Sequence, residues 1–282
     1  RSQLLVSGDI DRINVVHGDV TDQDLLARVF SDYEIKTCFH LAAQTVVGIA
    51  NDAPVSTLEV NVRGTWLILE AARRWSDLGQ IVVASSDKAY GSHEELPYSE
   101  KASLRGNHPY DVSKACADMI ACAYAHTYGL PVAVTRCANM YGGGDLNWNR
   151  IVPGTIRSVM RGERPIIRSD GSPRRDYVYV HDIVSAYLTL AEAMESNPDS
   201  HAGAVYNFGH DDPVSALEMV ETIIRLSDHP EVTPVVENKA VNEIQDQYLS
   251  SSLARERLDW SPDHSLEDGL RETIDWYRTY LQ

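Results

Sequence analysis

Between residue 13 and about residue 137 the chain alternates short apolar runs with longer amphipathic stretches. INVVH (13–17), KTCFHLA (36–42), QIVVAS (80–85) and LPVAVTR (130–136) read as strands. Helices are predicted over about 21–30, 54–75 and 108–128. Thr21 or Asp22 caps the first, with carboxylates in its opening turn where the helix dipole favours them. Strands that are apolar throughout, alternating with helices at this spacing, predict a parallel sheet covered on both faces.

After Tyr141 the texture changes. Gly142-Gly143-Gly144 makes a flexible turn, followed by predicted helices over about 150–161, 181–194, 215–226 and 266–280. The last carries Leu270, Ile274 and Tyr277 at helical spacing. Short strand-like pieces fall near 165–167 and 177–180, and SNPDSHA (196–202) reads as a polar surface loop. The chain therefore divides into residues 1–141 and a smaller lobe, 142–282, packed on the strand ends of the first part, with some segments returning to it.

The chain has 282 residues, with 41 Asp and Glu against 25 Lys and Arg, a formal net charge of −16. An acidic surface argues against nucleic acid as a partner, yet a small anionic ligand needs only one or two local cations. Cys38, Cys116, Cys122 and Cys137 show no C-x-x-C spacing and no His pair completes a zinc pattern, so no metal site is expected. No apolar run reaches the length of a membrane span, and residues 1–12 do not read as a signal peptide. The expectation is a cytoplasmic protein with reduced thiols and no membrane association.

Tyr110 and Lys114 stand four residues apart in a predicted helix, hence on one face. A nearby cation favours the phenolate, bringing a tyrosine toward service as a base near neutral pH. In a chain with 14 Tyr this spacing also arises by chance on a solvated face. Ser85-Ser86-Asp87-Lys88 strengthens it, because the string falls at the C-terminal end of a predicted strand, the edge where open α/β sheets bind ligands.

With these residues in view, the sequence resembles the extended short-chain dehydrogenase/reductases that act on nucleotide sugars. The strings that carry the likeness are His40-Leu-Ala-Ala-Gln44, Asn61-Val-Arg-Gly-Thr65, Ser85 to Gly91, Pro109-Tyr110 with Lys114, Arg136 to Gly142, and Arg175 to Asp182. The resemblance implies a doubly wound, Rossmann-like NAD-binding domain over 1–141 and a sugar-nucleotide lobe over 142–282. No G-x-G-x-x-G precedes Ile13, so the first βαβ unit looks absent, and residues ahead of Arg1 are expected in the natural protein. Asp87 after Ser86 is similar to the 4,6-dehydratases, which need an acid for the departing 6-hydroxyl. Asp87-Lys88 and Gly142–Asn147 resemble the CDP-glucose group among them.

The resemblance also implies roles. Tyr110 takes the C4-hydroxyl proton, Lys114 holds Tyr110 ionised and bonds the nicotinamide ribose, and Ser86 orients the C4 oxygen. Asp87 protonates the leaving C6 oxygen. Lys88 is either the C5 base or merely the partner of Asp87. Asp19 is implied at the adenine end of NAD, or else serves as a turn acid. Leu41, Ala42 and Ala43 pass near the pyrophosphate, or pack in the core; Ser85 completes the cofactor set. Asn61 and Thr65 lie on the second cofactor helix.

Gln44, Asn139, Arg150, Arg175 and Tyr248 are the implied substrate contacts, with the Arg175 fork matched to phosphate. Asp176 reads as a structural partner for its turn. A homodimer through helices 54–75 and 108–128 is implied, with Trp66 and Tyr124 as candidate interface aromatics. Two other readings stand beside the dehydratase: a nucleotide-sugar 4-epimerase and a non-catalytic sugar-nucleotide-binding relic.

Overall fold

The computed structural model describes residue 4 and residues 7–229, 231–239 and 244–282. Four parallel strands form the central sheet: β1 Thr37–His40, β2 Gln80–Ala84, β3 Val132–Cys137 and β4 Val205–Phe208, side by side in that order. The helices of eight or more residues are α1 Gln23–Asp32, α2 Gly64–Arg74, α3 Pro109–Tyr128, α4 Ile151–Met160, α5 Val180–Ser196, α6 Ala216–Leu226 and α7 Leu266–Leu281.

Strand alternation sends neighbouring side chains to opposite faces. Ile81, Val83, Val132 and Val134 pack under α1, α2 and α3 with Phe30, Leu69 and Ala121. Val82 and Ala133 pack on the other face with Ala186, Leu190 and Met194 of α5 and with Phe208 and Trp260. Both faces are covered, which is why these strands read as continuous apolar runs. A second core joins α4, α6 and α7 through Ile156, Met219, Ile223, Leu270, Ile274 and Tyr277. No described helix is long and apolar enough to cross a membrane.

Three expectations are corrected. Residues 14–19 form no strand: Ile13, Val15 and Val16 are exposed, and among the described residues no strand flanks the outer edge of β1. An extended run without a ladder partner gains neither hydrogen bonds nor burial. The helix foreseen over 54–75 is a helix Pro54–Leu58, a π turn Glu59–Arg63 and then α2. The polar loop foreseen at 196–202 contains a short helix, Pro198–His201, because His201 is buried and its Nδ1 meets Tyr206 Oη at 2.9 Å.

The start of α7 is tied to α5 through His264. Its Nδ1 lies 2.8 Å from Oδ1 of buried Asp182, and Glu272 and Asp263 add negative potential, so its pKa is raised above the ordinary histidine value, chiefly by the Asp182 hydrogen bond. A raised folded-state pKa stabilises below the unfolded value, and the contribution is lost as pH rises through the folded one. His264→Gln is therefore expected to lower the melting temperature more at pH 5.5 than at pH 8.5. Paired thermal melts at the two pH values measure this.

Candidate active site

A cavity of about 520 Å³ opens at the C-terminal ends of β2 and β3 and reaches into the second lobe. Ser85, Ser86, Asp87 and Lys88 enter it directly from β2. Ser86 adopts extended backbone, and its Oγ accepts the Lys88 N–H at 3.2 Å, capping the 3₁₀ turn Asp87–Tyr90. That cap turns the chain sharply and keeps Asp87, only 3% exposed, against the cavity wall. Pro109 opens α3, where its lack of an N–H does no harm, so Tyr110 stands in the first turn facing Ser86.

Burial dominates the electrostatics. It pushes the Tyr110 phenol up to about 12, while contact with Ser86 and the charge of Arg150 work the other way. Lys114, one helical turn on, donates from Nζ to the Ala84 carbonyl at 2.8 Å, and burial lowers its pKa to about 8. Lys114 thus anchors α3 to β2, one helical turn from Tyr110. The Lys88 ammonium lies 3.4 Å from Asp87 Oδ2 and also meets Gln247 Oε1. Desolvation lowers its pKa, with Arg175 adding to the effect and Asp87 and Asp111 opposing it. The pairing with Asp87 is therefore real, and the ammonium is also poorly solvated.

The outlying cofactor candidates are less concentrated. Asp19 is exposed and accepts hydrogen bonds from the N–H and hydroxyl of Thr21, which lower its pKa. It is a turn acid here, and Asp22 caps α1. Leu41 and Ala42 are exposed and Ala43 half-buried in the loop leaving β1, so core packing is not their role. Gln44 does not line the cavity: its side chain holds Val46 and Thr57, while buried Asn61 accepts from the Gln44 N–H and donates to its carbonyl and to Ser113. Asn61, on the π turn, clamps this loop to α3. Thr65 bonds His40 Nε2 at 2.9 Å, and burial lowers the His40 pKa to about 4.

Of the substrate candidates, Asn139, Arg150 and Arg175 line the cavity. The Asn139 amide donates to the Asp176 carbonyl, Arg150 pairs with Asp145 at 3.0 Å, and Arg175 donates to the carbonyls of Arg174, Ile244 and Gln245. Tyr248 does not line it; its ring lies under the Arg174 guanidinium at 5.9 Å. The neighbouring Gln247 faces the cavity instead, as strand alternation requires. Asp176 accepts the His210 and Asp211 N–H groups, the structural part expected of it, and burial raises its pKa to about 7. Sequence reasoning also missed Asp111, a buried acid beside Tyr110 that faces Lys88 and whose only signal was a charge in the first helical turn.

The family model described as GDP-mannose 4,6 dehydratase matches residues 4–273. The chain belongs to that family. Among its relatives, dTDP-glucose 4,6-dehydratase 1 of Escherichia coli is 30% identical over 98% of this chain and 82% of the relative. The dTDP-glucose 4,6-dehydratase DesIV of Streptomyces venezuelae, solved with NAD bound, superposes with a TM-score of 0.81 at 29% identity, covering 94% of this chain and 79% of that one. UDP-glucose 4-epimerase of Thermotoga maritima, solved with UDP-glucose, gives a TM-score of 0.88 at 27% identity, covering 97% and 88%. The α/β Rossmann-like fold is thereby shown. The two dehydratases named here are dTDP-glucose 4,6-dehydratases, and the likeness carries the nucleotide-sugar 4,6-dehydratase family rather than the CDP-glucose group within it.

In this family member one buried cation holds the site's elements together. Arg136 of β3 binds both carboxylate oxygens of Asp118 on α3, at 2.7 and 2.8 Å, and donates to Tyr90 Oη at 3.0 Å. Removing one partner of such a pair strands a buried charge. Arg136→Met is expected to cost about 3–5 kcal/mol of stability, read from the urea midpoint of the variant against the native protein.

Proposed function

We propose that this protein is an NAD-dependent nucleotide-sugar 4,6-dehydratase, a hydro-lyase converting a nucleotide hexose to its 4-keto-6-deoxy form and water. The observation that carries the reading is Asp87: a buried carboxylate in the cavity wall, hydrogen-bonded to Ser86 at 3.1 Å and next to Tyr110. Oxidation at C4 alone needs no such acid.

NAD fits the residues present. Ser85 Oγ is buried with no hydrogen-bond partner, beside Lys114, whose amine reaches the end of β2. Lys114, Tyr110 and Ser85 would hold the nicotinamide end, and the Leu41–Ala42–Ala43 loop the diphosphate; NAD bound in the Streptomyces venezuelae relative supports NAD as the cofactor. Bound there, NAD supplies a reversible store of hydride.

Tyr110 takes the proton of the C4 hydroxyl, and Ser86 orients that oxygen. A ketone at C4 acidifies the C5 hydrogen. Lys88, desolvated and held by Gln247, is the C5 base, and Asp87 delivers a proton to the departing C6 oxygen. Asn139, Arg150 and Arg175 bind the diphosphate. The substrate is proposed as CDP-glucose on the strength of Asp87-Lys88, with dTDP-glucose the alternative that the relatives favour.

A C4-epimerase is the second reading, favoured by the UDP-glucose 4-epimerase likeness. A homodimer through Pro54–Arg74 and α3 is proposed on the exposure of Val55, Leu58, Trp66 and Met119. Half-buried Tyr124 packs instead in the core under the sheet.

A panel of CDP-, dTDP-, UDP- and GDP-hexoses with product mass analysis tests the assignment: loss of one water from one of them is expected, and unchanged mass with inverted C4 identifies the epimerase. Asp87→Asn keeps the shape but cannot deliver a proton. It is expected to leave C4 oxidation intact and slow elimination at least about a hundredfold, so that reduced cofactor accumulates on the protein and is seen by its absorbance.

A further inference from the structure

The Lys88 amine is held at two points, and the count of its hydrogens fixes what the third position carries. Among the described residues its Nζ has two acceptors, Asp87 Oδ2 at 3.4 Å and Gln247 Oε1. An ammonium has three hydrogens, so with both acceptors used one is left without a protein partner. A neutral amine has two hydrogens and one lone pair. Both hydrogens are then placed, and the lone pair takes the remaining position, on the side of the cavity that Lys88 lines.

Gln247 is built to hold that geometry. It is 1% exposed, and its strand, Asp246–Gln247, pairs with Arg174–Arg175, so that Gln247 stands opposite Arg175. Its Nε2 donates to the Asp87 carbonyl at 3.3 Å while its Oε1 accepts from Lys88. The amide therefore brackets both residues of the Asp87–Lys88 pair, and turning it over would set donor against donor and carbonyl against carbonyl. Being a carboxamide, it accepts a hydrogen without adding charge. Desolvation and Arg175 favour the neutral amine; Asp87 on its own turn and Asp111 of α3 oppose them. Tyr110 and His108 line the same cavity. A third carboxylate, at 247, would tip that balance toward the ammonium.

Resting on the dehydratase reading, we propose that Gln247 is a positioning residue for the C5 base: its amide oxygen fixes the Lys88 amine with the lone pair free toward C5, and withholds the charge that would keep it protonated. Asp87 then enters the step as the neutral acid, with its proton on Oδ1 and its Oδ2 accepting from Lys88. The C5–H bond breaks as an Nζ–H bond forms, and its electron pair becomes the second C5–C6 bond. The C6–O6 electron pair leaves with O6, which takes the Asp87 proton and departs as water. The pair is left as ammonium and carboxylate. Nζ returns a proton to C5 when C6 is reduced, and the pair regains one from solvent while Tyr110 loses the one taken from O4. No net proton is gained or lost. Arg175, placed on the diphosphate, shares the ladder of Gln247, so the base is held in register with the anchored end of the substrate.

The experiment follows C4 oxidation (absorbance of the reduced cofactor) and elimination (product release) separately in single turnovers across a pH series, with CDP-glucose and dTDP-glucose as probes. Gln247→Met keeps the length of the side chain and removes both hydrogen bonds; Gln247→Glu keeps the shape and adds the charge. Native elimination is expected to rise with pH as Lys88 gives up its proton. In Gln247→Met, elimination should fall about a hundredfold relative to oxidation, with its pH midpoint close to the native one. In Gln247→Glu, the midpoint should move up by about one to three pH units, reduced cofactor should accumulate at the native midpoint, and elimination should recover at higher pH. Oxidation and elimination falling in equal proportion in both variants, or a Gln247→Glu midpoint that stays at the native value, would overturn the role and leave Gln247 a packing residue. If Gln247→Glu reduces no cofactor at all, Gln247→Met decides alone: a selective loss of elimination supports the role and a proportional loss overturns it. Native protein that releases no 4-keto-6-deoxy product from either probe or from the wider panel overturns the dehydratase reading itself, whereas the other adverse results leave that reading standing.

Discussion

The buried guanidinium of Arg136 is the interaction on which the rest of the site depends. It sits on β3, grips Asp118 on α3 with a two-pronged bond, and lies 4.8 Å over the ring of Tyr90 in the turn that follows β2. Of these elements α3 carries the Tyr110–Lys114 pair and the turn carries Asp87 with Lys88, while Asn139 follows two residues beyond the end of β3. Tyr90 extends the network by donating to Asn207 of β4 at 2.7 Å. A planar fork fixes direction as well as distance, which a point charge on a flexible stem would not. Relative positions in the cavity are therefore held in part by a network whose own side chains do not line it.

A second consequence of this packing is electrical. Asp87, Asp111, Lys114 and Asp176 are buried, and Lys88 is half-buried against Asp87. Burial lowers both lysines and raises Asp111 and Asp176, each by disfavouring its charged form. Such an arrangement costs stability and is tolerated where groups must change protonation during chemistry. Here the cost is spread over a sheet whose two faces are otherwise filled with well-packed aliphatic and aromatic side chains.

The loop leaving β1 illustrates how the scaffold serves the site at a distance. Asn61, on a π turn between two helical stretches, holds the Gln44 backbone through both ends of its side-chain amide, the oxygen accepting and the nitrogen donating, and that nitrogen also reaches Ser113 on α3. A π turn shifts one residue out of the ordinary helical ladder, and such shifts recur at functional positions. The same side chain thus fixes the loop beside the cavity and the helix that bears Tyr110.

The alternation of apolar strands and amphipathic helices was written in the sequence, because burial on both faces of a sheet imposes that pattern locally. So were a helix over about 108–128, a cap for α1 at Thr21 or Asp22, and the placement of Ser86-Asp87-Lys88 at a strand end. INVVH at 13–17 carried the same local signal and forms no strand, since pairing depends on a neighbour that no local pattern specifies. Tyr248 looked the better ligand, yet Gln247 faces the cavity, because the face a strand residue takes is set by its ladder partner, Arg175, 72 positions earlier (247 − 175). The binding of Lys88 to Gln247, 159 residues apart, and of Lys114 to a β2 carbonyl was likewise undecided until the chain folded. Sequence determines which groups exist and roughly which surface they occupy. Which partner each one bonds, and so which proton it holds, is decided only when burial brings distant segments together in a medium that no longer offers water as an alternative.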